Sequence, residues 1–207
     1  MTGRNLILSR RLMLQALAAA PAAGLFGTAE AADVQVGIVS ETRGTVMAEL
    51  NARRRRLDRR SAVFLGDLLR TGPDARLHAL LGPRTSLRLG ARTRVRIDQY
   101  LVNAGGELVL ESGALLLDTR LGKFPKGLRI ESPFALIAVR GTRVFAGSID
   151  GTFGVFAARG VVDVIGRRKS IRLRAGEGID IERPGRLKGE GMRWGAEKIA
   201  RAMSLVR

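Results

Sequence analysis

Ser132-Pro133-Phe134-Ala135-Leu136-Ile137-Ala138-Val139-Arg140-Gly141-Thr142-Arg143-Val144-Phe145-Ala146-Gly147 is the stretch whose reading decides the fold. It is the longest apolar run beyond the N-terminal thirty residues, and it sets a cation, Arg140, in its middle. Arginine does not shed its proton and carries five donors in a fixed fork, so a buried Arg140 requires converging carbonyls or a carboxylate. Asp67, Asp118 and Glu131 are the carboxylates considered for that role. Gly141 lets the backbone kink or approach a neighbour closely, and Thr142 to Ala146 resume as β-branched and aromatic strand. Pro133 suits the first residue of a strand and not its middle. The run therefore reads as strand, kink, strand, with Arg140-Gly141-Thr142 expected to hold the fold together and not to bind a ligand.

Working outward, short alternating segments recur with turn formers every eight to twelve residues. Upstream, strands are predicted at Val34 to Val39, Gly44 to Ala48, Ser61 to Phe64, Asp67 to Thr71, Ala75 to Leu81, Thr85 to Leu89, Arg94 to Gln99, Gly106 to Glu111 and Ala114 to Thr119. Downstream, Asp150-Gly151 supplies the positive φ of a tight hairpin, and strands follow at Thr152 to Ala157, Gly160 to Ile165, Ser170 to Leu173 and Gly178 to Ile181. The pattern predicts an all-β chain, a short irregular β-solenoid or roll, with a β-sandwich as the alternative. Ile199, Met203 and Val206 recur at helical spacing, so a C-terminal amphipathic helix is expected to cover the open end of the β domain.

Four blocks along this pattern resemble one family. Ser132-Pro133 with Ala138-Val139-Arg140-Gly141-Thr142, preceded by Gly66-Asp67-Leu68-Leu69-Arg70-Thr71-Gly72, is similar to the signature of the FecR domain. Ala158-Arg159-Gly160-Val161-Val162-Asp163-Val164 and Leu173-Arg174-Ala175-Gly176-Glu177 continue the resemblance, which covers roughly residues 34 to 182. The family usually has Thr where this chain has Ser132. The resemblance implies a periplasmic sensor module of the kind found in iron-uptake regulation and in stand-alone exported proteins. Within it, Pro133, Arg140, Gly141, Thr142 and Asp67 form the structural motif. Asp67 has two readings, as the partner of Arg140 or as a turn residue bonding a backbone amide.

The first thirty-one residues read as an export signal and not as fold. Arg4, Arg10 and Arg11 precede an uncharged apolar segment from Leu12 to Phe26, and small residues ending Thr28-Ala29-Glu30-Ala31 offer a cleavage site. Ser9-Arg10-Arg11-Leu12-Met13-Leu14 is similar to the twin-arginine motif. The apolar run is shorter than the roughly twenty residues of a membrane helix, so no transmembrane span is expected in the mature chain. The domains predicted are thus 1–31 signal peptide, 32–183 FecR-like β domain, and 184–207 Gly-rich linker and helix, with the product in the periplasm. Only eleven residues precede the apolar run, too few for the helical cytoplasmic segment that restrains a sigma factor in the family's named member.

Charge and chemistry narrow the function. The 207 residues carry a formal net charge of +17 with 36 basic residues, few aromatics (4%) and no cysteine. Such a surface attracts anions, though an arginine bias of this kind also follows from a GC-rich genome. Six arginines, Arg53, Arg54, Arg55, Arg56, Arg59 and Arg60, fall in eight positions and are predicted to form an exposed hairpin loop. Arg167, Arg168 and Lys169 make a second basic turn. Both are assigned as anion or partner contacts, which together form one electropositive face if they are neighbours. His78 is the lone histidine and has no second histidine or cysteine to complete a metal or nucleophile set. With no Gly-rich phosphate loop either, no catalytic residue, metal or cofactor is assigned, and an enzyme is the least supported class. The expected function is an exported binding or scaffold module contacting an envelope protein or an anionic envelope polymer, with no nucleic acid partner after export. The alternative is the sensor part of a FecR-type regulator of iron-responsive sigma-factor signalling. Nothing in the sequence selects an oligomeric state.

Overall fold

A computed structural model of the chain describes residues 33–101, 105–120, 127–187 and 189–207, with backbone alone at 100–101. The expected export signal lies outside the described residues. Residues Asp33 to Arg207 form one compact unit. Its strands are β1 (Gln35–Arg43), β2 (Val46–Leu50), β3 (Arg53–Arg56), β4 (Ala62–Phe64), β5 (Leu68–Thr71), β6 (Arg76–Leu81), β7 (Thr85–Leu89) and β8 (Arg94–Leu101). They continue with β9 (Gly105–Ser112), β10 (Ala114–Thr119), β11 (Leu128–Glu131), β12 (Leu136–Ile149), β13 (Thr152–Ile165), β14 (Ser170–Arg174), β15 (Glu177–Ile181) and β16 (Met192–Arg193). One helix, α1 (Ala196–Ser204), follows.

All the strands join one mixed sheet, ordered β3-β2-β5-β8-β9-β11-β12-β10-β7-β6-β1-β4, with β13 branching from β12 and carrying β14 and β15. The pair β9–β11 is parallel. Strands such as β6 and β7 alternate strictly between buried and less buried residues, so one face of the sheet turns inward on an aliphatic core. The two ends of this path, β3 and β4, are separated in sequence by residues 57–61 alone. So short a link forces the sheet to curl until its ends approach, which makes the fold a half-barrel roll. The link is bonded to both sides: Leu57 N–H donates to Val46 O (2.9 Å) and Val39 N–H to Ser61 O (2.9 Å). The all-β roll with a C-terminal helix is the fold the alternation predicts.

In β10 and β12 the run of buried residues is continuous where a half-buried strand would alternate. Leu115, Leu117, Val144 and Ala146 face the inner core, while Leu116, Phe145 and Phe156 face outward into a second cluster. That cluster is closed by Trp194, Ala202 and Val206, with the Trp194 ring stacked on Phe156 at 5.1 Å. The tail and α1 thus cover the outer face of β10, β12 and β13, and not the open end expected from the sequence.

The central run is one strand, β12, whose pairing with β13 shifts register twice, once at a bulge on β12 and again where Ala158 of β13 is left over between Arg159 and Ala157. Arg140 pairs with Val161 and Arg143 with Arg159, so two residues, Gly141 and Thr142, oppose the single Gly160. Gly141 has φ +63° and Gly160 φ +78°, values that favour glycine. A Cβ at Gly160 would lie 2.6 Å from Thr142 Cγ2. The extra residue flips the inward phase of the strand, from Ile137 and Val139 before it to Val144 and Ala146 after it. This corrects the reading of Arg140. It is exposed, because it falls on the outer face at the point where the phase changes. The buried residue of the motif is Thr142, whose N–H donates to Thr119 Oγ1 (3.0 Å) while Thr119 Oγ1 donates to Thr142 O (3.2 Å). Pro133, also exposed, is not the first residue of a strand: it lies within a tight turn in which Ser132 Oγ accepts from Ala135 N–H (3.1 Å), and β12 begins at Leu136.

Candidate anion-binding site

Arginine is the chemistry-bearing residue of this chain, and what decides its use is whether a carboxylate already occupies its fork. The segment predicted to be an arginine loop is partly a strand. Leu50 pairs with Arg53 across Asn51 and Ala52, both at positive φ, so β2 and β3 form a two-residue hairpin. Alternation then aims Arg55 differently from its neighbours. Its Nη1 donates to Asp67 Oδ1 (2.7 Å) and its Nη2 to Asp67 Oδ2 (2.5 Å), with a further bond from Nη2 to Ala62 O (3.2 Å). Asp67 is fully buried and also accepts from Phe64 N–H at 2.7 Å. The guanidinium lies 4.8 Å from the centre of the Phe64 ring. Both roles expected of Asp67 are therefore present, arginine partner and turn residue, but the arginine is Arg55 and not Arg140. The pair staples the two ends of the curled sheet.

Arg54 is paired with Glu49 (3.0 Å), which also meets Arg70 (3.4 Å), and Arg56 lies 3.4 Å from Asp58. Arg59 and Arg60 are exposed in the link, and Arg60 N–H donates to Val39 O. Elsewhere on the sheet other carboxylates hold arginines in the same way. Glu111 meets Arg94 (2.9 Å) and Arg96 (2.8 Å), Asp118 meets Arg159 (2.7 Å), and Asp163 meets Arg172 (2.7 Å). The Asp163 carboxylate holds the Arg172 proton affinity above its ordinary value.

The second basic turn behaves otherwise. Gly166 N–H donates to Lys169 O (3.0 Å) and closes the connection between β13 and β14. The segment 183–187 is laid against it: Arg167 N–H donates to Gly185 O (2.9 Å), and Gly185 N–H donates to Phe134 O (2.7 Å). The approach is close, since a Cβ on Gly166 would sit 2.8 Å from Leu187 Cγ and one on Gly185 2.6 Å from Arg167 Cγ. Between the segments lies a cavity of about 660 Å³ lined by Arg167, Arg168, Lys169, Arg183 and Arg186, with Pro184 and Leu187 as apolar wall and no acidic side chain. Among the described residues, Arg167, Arg168, Arg183 and Arg186 have no ion-pair partner. Lys169 Nζ donates to Gly189 O (2.6 Å).

Sequence reasoning found the first three of these cations and missed Arg183 and Arg186. Their signal was the Pro184-Gly185 turn with an arginine near either side, which turns both onto a neighbouring hairpin. The two basic segments are not neighbours along the sheet. Seven ladder steps part β3 from β13, so the condition for one shared electropositive face is not met along the sheet.

His78 is held by a 2.7 Å contact between Nε2 and Ser86 Oγ. Burial lowers its proton affinity, Arg88 acts in the same sense and Glu41 opposes. Among the described residues no group of three His, Asp or Glu side chains converges to hold a metal, and no helix is long and apolar enough to cross a membrane.

Comparison with known proteins bears on the same residues. Residues 67–163, which span β5 to most of β13, match the family model described as FecR protein. Two crystal structures of a candidate anti-sigma factor from Parabacteroides distasonis ATCC 8503, at 1.65 and 2.50 Å resolution, superpose with a TM-score of 0.55 and 17% identity. Each alignment covers 64% of this chain and 62% of the other, so the chain spans under two thirds of the structures it matches. At that identity the likeness is one of fold. No curated protein matches significantly.

Proposed function

Because this chain carries a FecR domain, a regulatory and non-enzymatic kind of module, we propose that it is exported to the periplasm and serves envelope signalling by surface contact. Its partner is an envelope protein or an anionic envelope polymer. The observation that carries this reading is the FecR match on a roll whose exposed chemistry is guanidinium. Arginine forks bind carboxylates and phosphates in two-point fashion, which suits recognition and not turnover. The order of charged, apolar and small residues in 1–31 supports export, and Arg10-Arg11 supports the twin-arginine route.

The test is cell fractionation with mass spectrometry of the recovered protein. The expected product begins at Ala32 and is released with the periplasm, and lysines at positions 10 and 11 stop export. An intact Met1 in the cytoplasm overturns the reading. The fold shared with a candidate anti-sigma factor supports a second reading, sensor of a sigma-factor regulator. Deletion followed by transcript profiling separates the two, since only the second changes one sigma-dependent set of genes.

A further inference from the structure

Four arginines and a lysine line one space that no acidic side chain enters, whereas Arg54, Arg55 and Arg56 each meet a carboxylate. Like charges gathered around one space repel, and an exposed cluster of them is held together here by backbone bonds between the turn 166–169 and the segment 183–187. The turn and the loop are fixed independently of any ligand: Leu187 is buried in the inner core, and Gly185 is tied to both Phe134 and Arg167. The cations are therefore presented by a built scaffold and not by a loose tail.

We propose that this cavity is a binding pocket for clustered phosphate groups, its ligand carrying at least two of them. Four planar forks plus one ammonium call for more negative charge than one phosphate supplies, and forks engage phosphate oxygens in pairs. The space of about 660 Å³ is that of a small-molecule headgroup. Pro184 and Leu187 offer the carbon skeleton between phosphates a dry wall. Arg167 joins the two segments, because its side chain packs over Gly185, the residue of positive φ in the second segment. The same chemistry is offered by a soluble polyphosphate and by a phosphorylated lipid headgroup. The inference deepens the reading above by naming the anion and its seat. Its test uses purified protein and so stands or falls apart from export.

The experiment is titration calorimetry of the full chain with inorganic tripolyphosphate, orthophosphate and citrate, beside sedimentation with phosphatidic acid vesicles. Tripolyphosphate is expected to bind about tenfold or more tighter than orthophosphate or citrate. The variant Arg167→Gln/Arg168→Gln/Arg183→Gln/Arg186→Gln should lose that preference, and Arg54→Gln/Arg56→Gln should keep it. Co-sedimentation that tripolyphosphate competes away assigns the lipid headgroup as the source, and tripolyphosphate binding without co-sedimentation assigns a soluble one. Equal binding of citrate and tripolyphosphate, or binding unchanged in the four-arginine variant, overturns the pocket. Circular dichroism of the variant guards against a folding defect, and if it unfolds, Arg183→Gln alone takes its place.

Discussion

Between Arg53 and Arg60 the chain packs six arginines into eight positions, whereas the pocket at 166–187 collects four arginines and a lysine from two segments that are separate in sequence. By density the first is the more conspicuous. Yet there Arg55 is committed to Asp67, Arg54 to Glu49 and Arg56 to Asp58, and one of these pairs, Arg55 with Asp67, helps close the sheet. In the pocket the forks are vacant of carboxylates. The difference teaches that an arginine's function is read from the acceptor it faces and not from how many arginines adjoin it.

The largest way to break that comparison is to remove the buried acceptor. Asp67→Ala leaves Arg55 and the Phe64 N–H without their carboxylate partner and removes the ion pair between the two ends of the roll, which the 57–61 link and its backbone bonds still join. Losing one member of a buried pair costs about 3 to 5 kcal/mol, and the Arg55 side chain is 31% exposed, which places the loss at the lower end. A melting temperature lower by about 10 °C is expected in calorimetry. Arg55→Ala should fall nearly as far, and the double variant no further than the sum of a single shared contact allows. Unchanged melting in Asp67→Ala would mean that the staple is ornamental and the two arginine regions are alike.

A smaller effect separates the parts of the central motif. Gly141→Val forces a β-branched residue into positive φ and should cost about 1 to 3 kcal/mol. Arg140→Ala, at an exposed position, should stay within about 0.5 kcal/mol of the native chain in the same denaturation assay. The reverse ranking would restore Arg140 as the structural cation.

How far this was legible follows from what each pattern encodes. Alternation in segments such as Arg76-Leu77-His78-Ala79 encodes which face is buried, so the β class, most strands and the Asp150-Gly151 hairpin could be read directly. The apolar run before Arg140 misled because its outward residues, Leu136 and Ala138, are only half-buried, while a bulge changes the inward phase between Val139 and Val144 and a second core takes the outer face only beyond it, at Phe145 and Ile149. Gly141 marks where the bulge falls but not that it reverses the inward phase, and a continuous apolar stretch looks the same whether one element or two cover it. The Arg55–Asp67 pair is a consequence of the sheet's ends meeting, and the Arg183 and Arg186 half of the pocket of a loop folding back on a distant hairpin. Both are tertiary facts. The sequence supplied the residues and the short links, and only the closed topology decides which of them face each other.

The smallest expected effect carries the sign that distinguishes the two regions. In the stapled segment an arginine stabilises the fold, so its loss lowers the melting temperature. In the pocket the arginines face one another without intervening carboxylates, so each is mildly unfavourable to the folded chain when no ligand is bound. Replacing Arg167, Arg168, Arg183 and Arg186 with Gln should therefore leave the melting temperature unchanged or raise it by about 1 °C at low ionic strength, exposed positions contributing little. Added salt should shrink the difference, because charges on this surface are screened over about 10 Å at 0.1 M. Tripolyphosphate should raise the melting temperature of the native chain and not of the variant, since a ligand stabilises the state it binds. A variant that melts many degrees lower with no ligand present would show the four forks to be bonded into the fold, and the contrast with Arg55 would vanish.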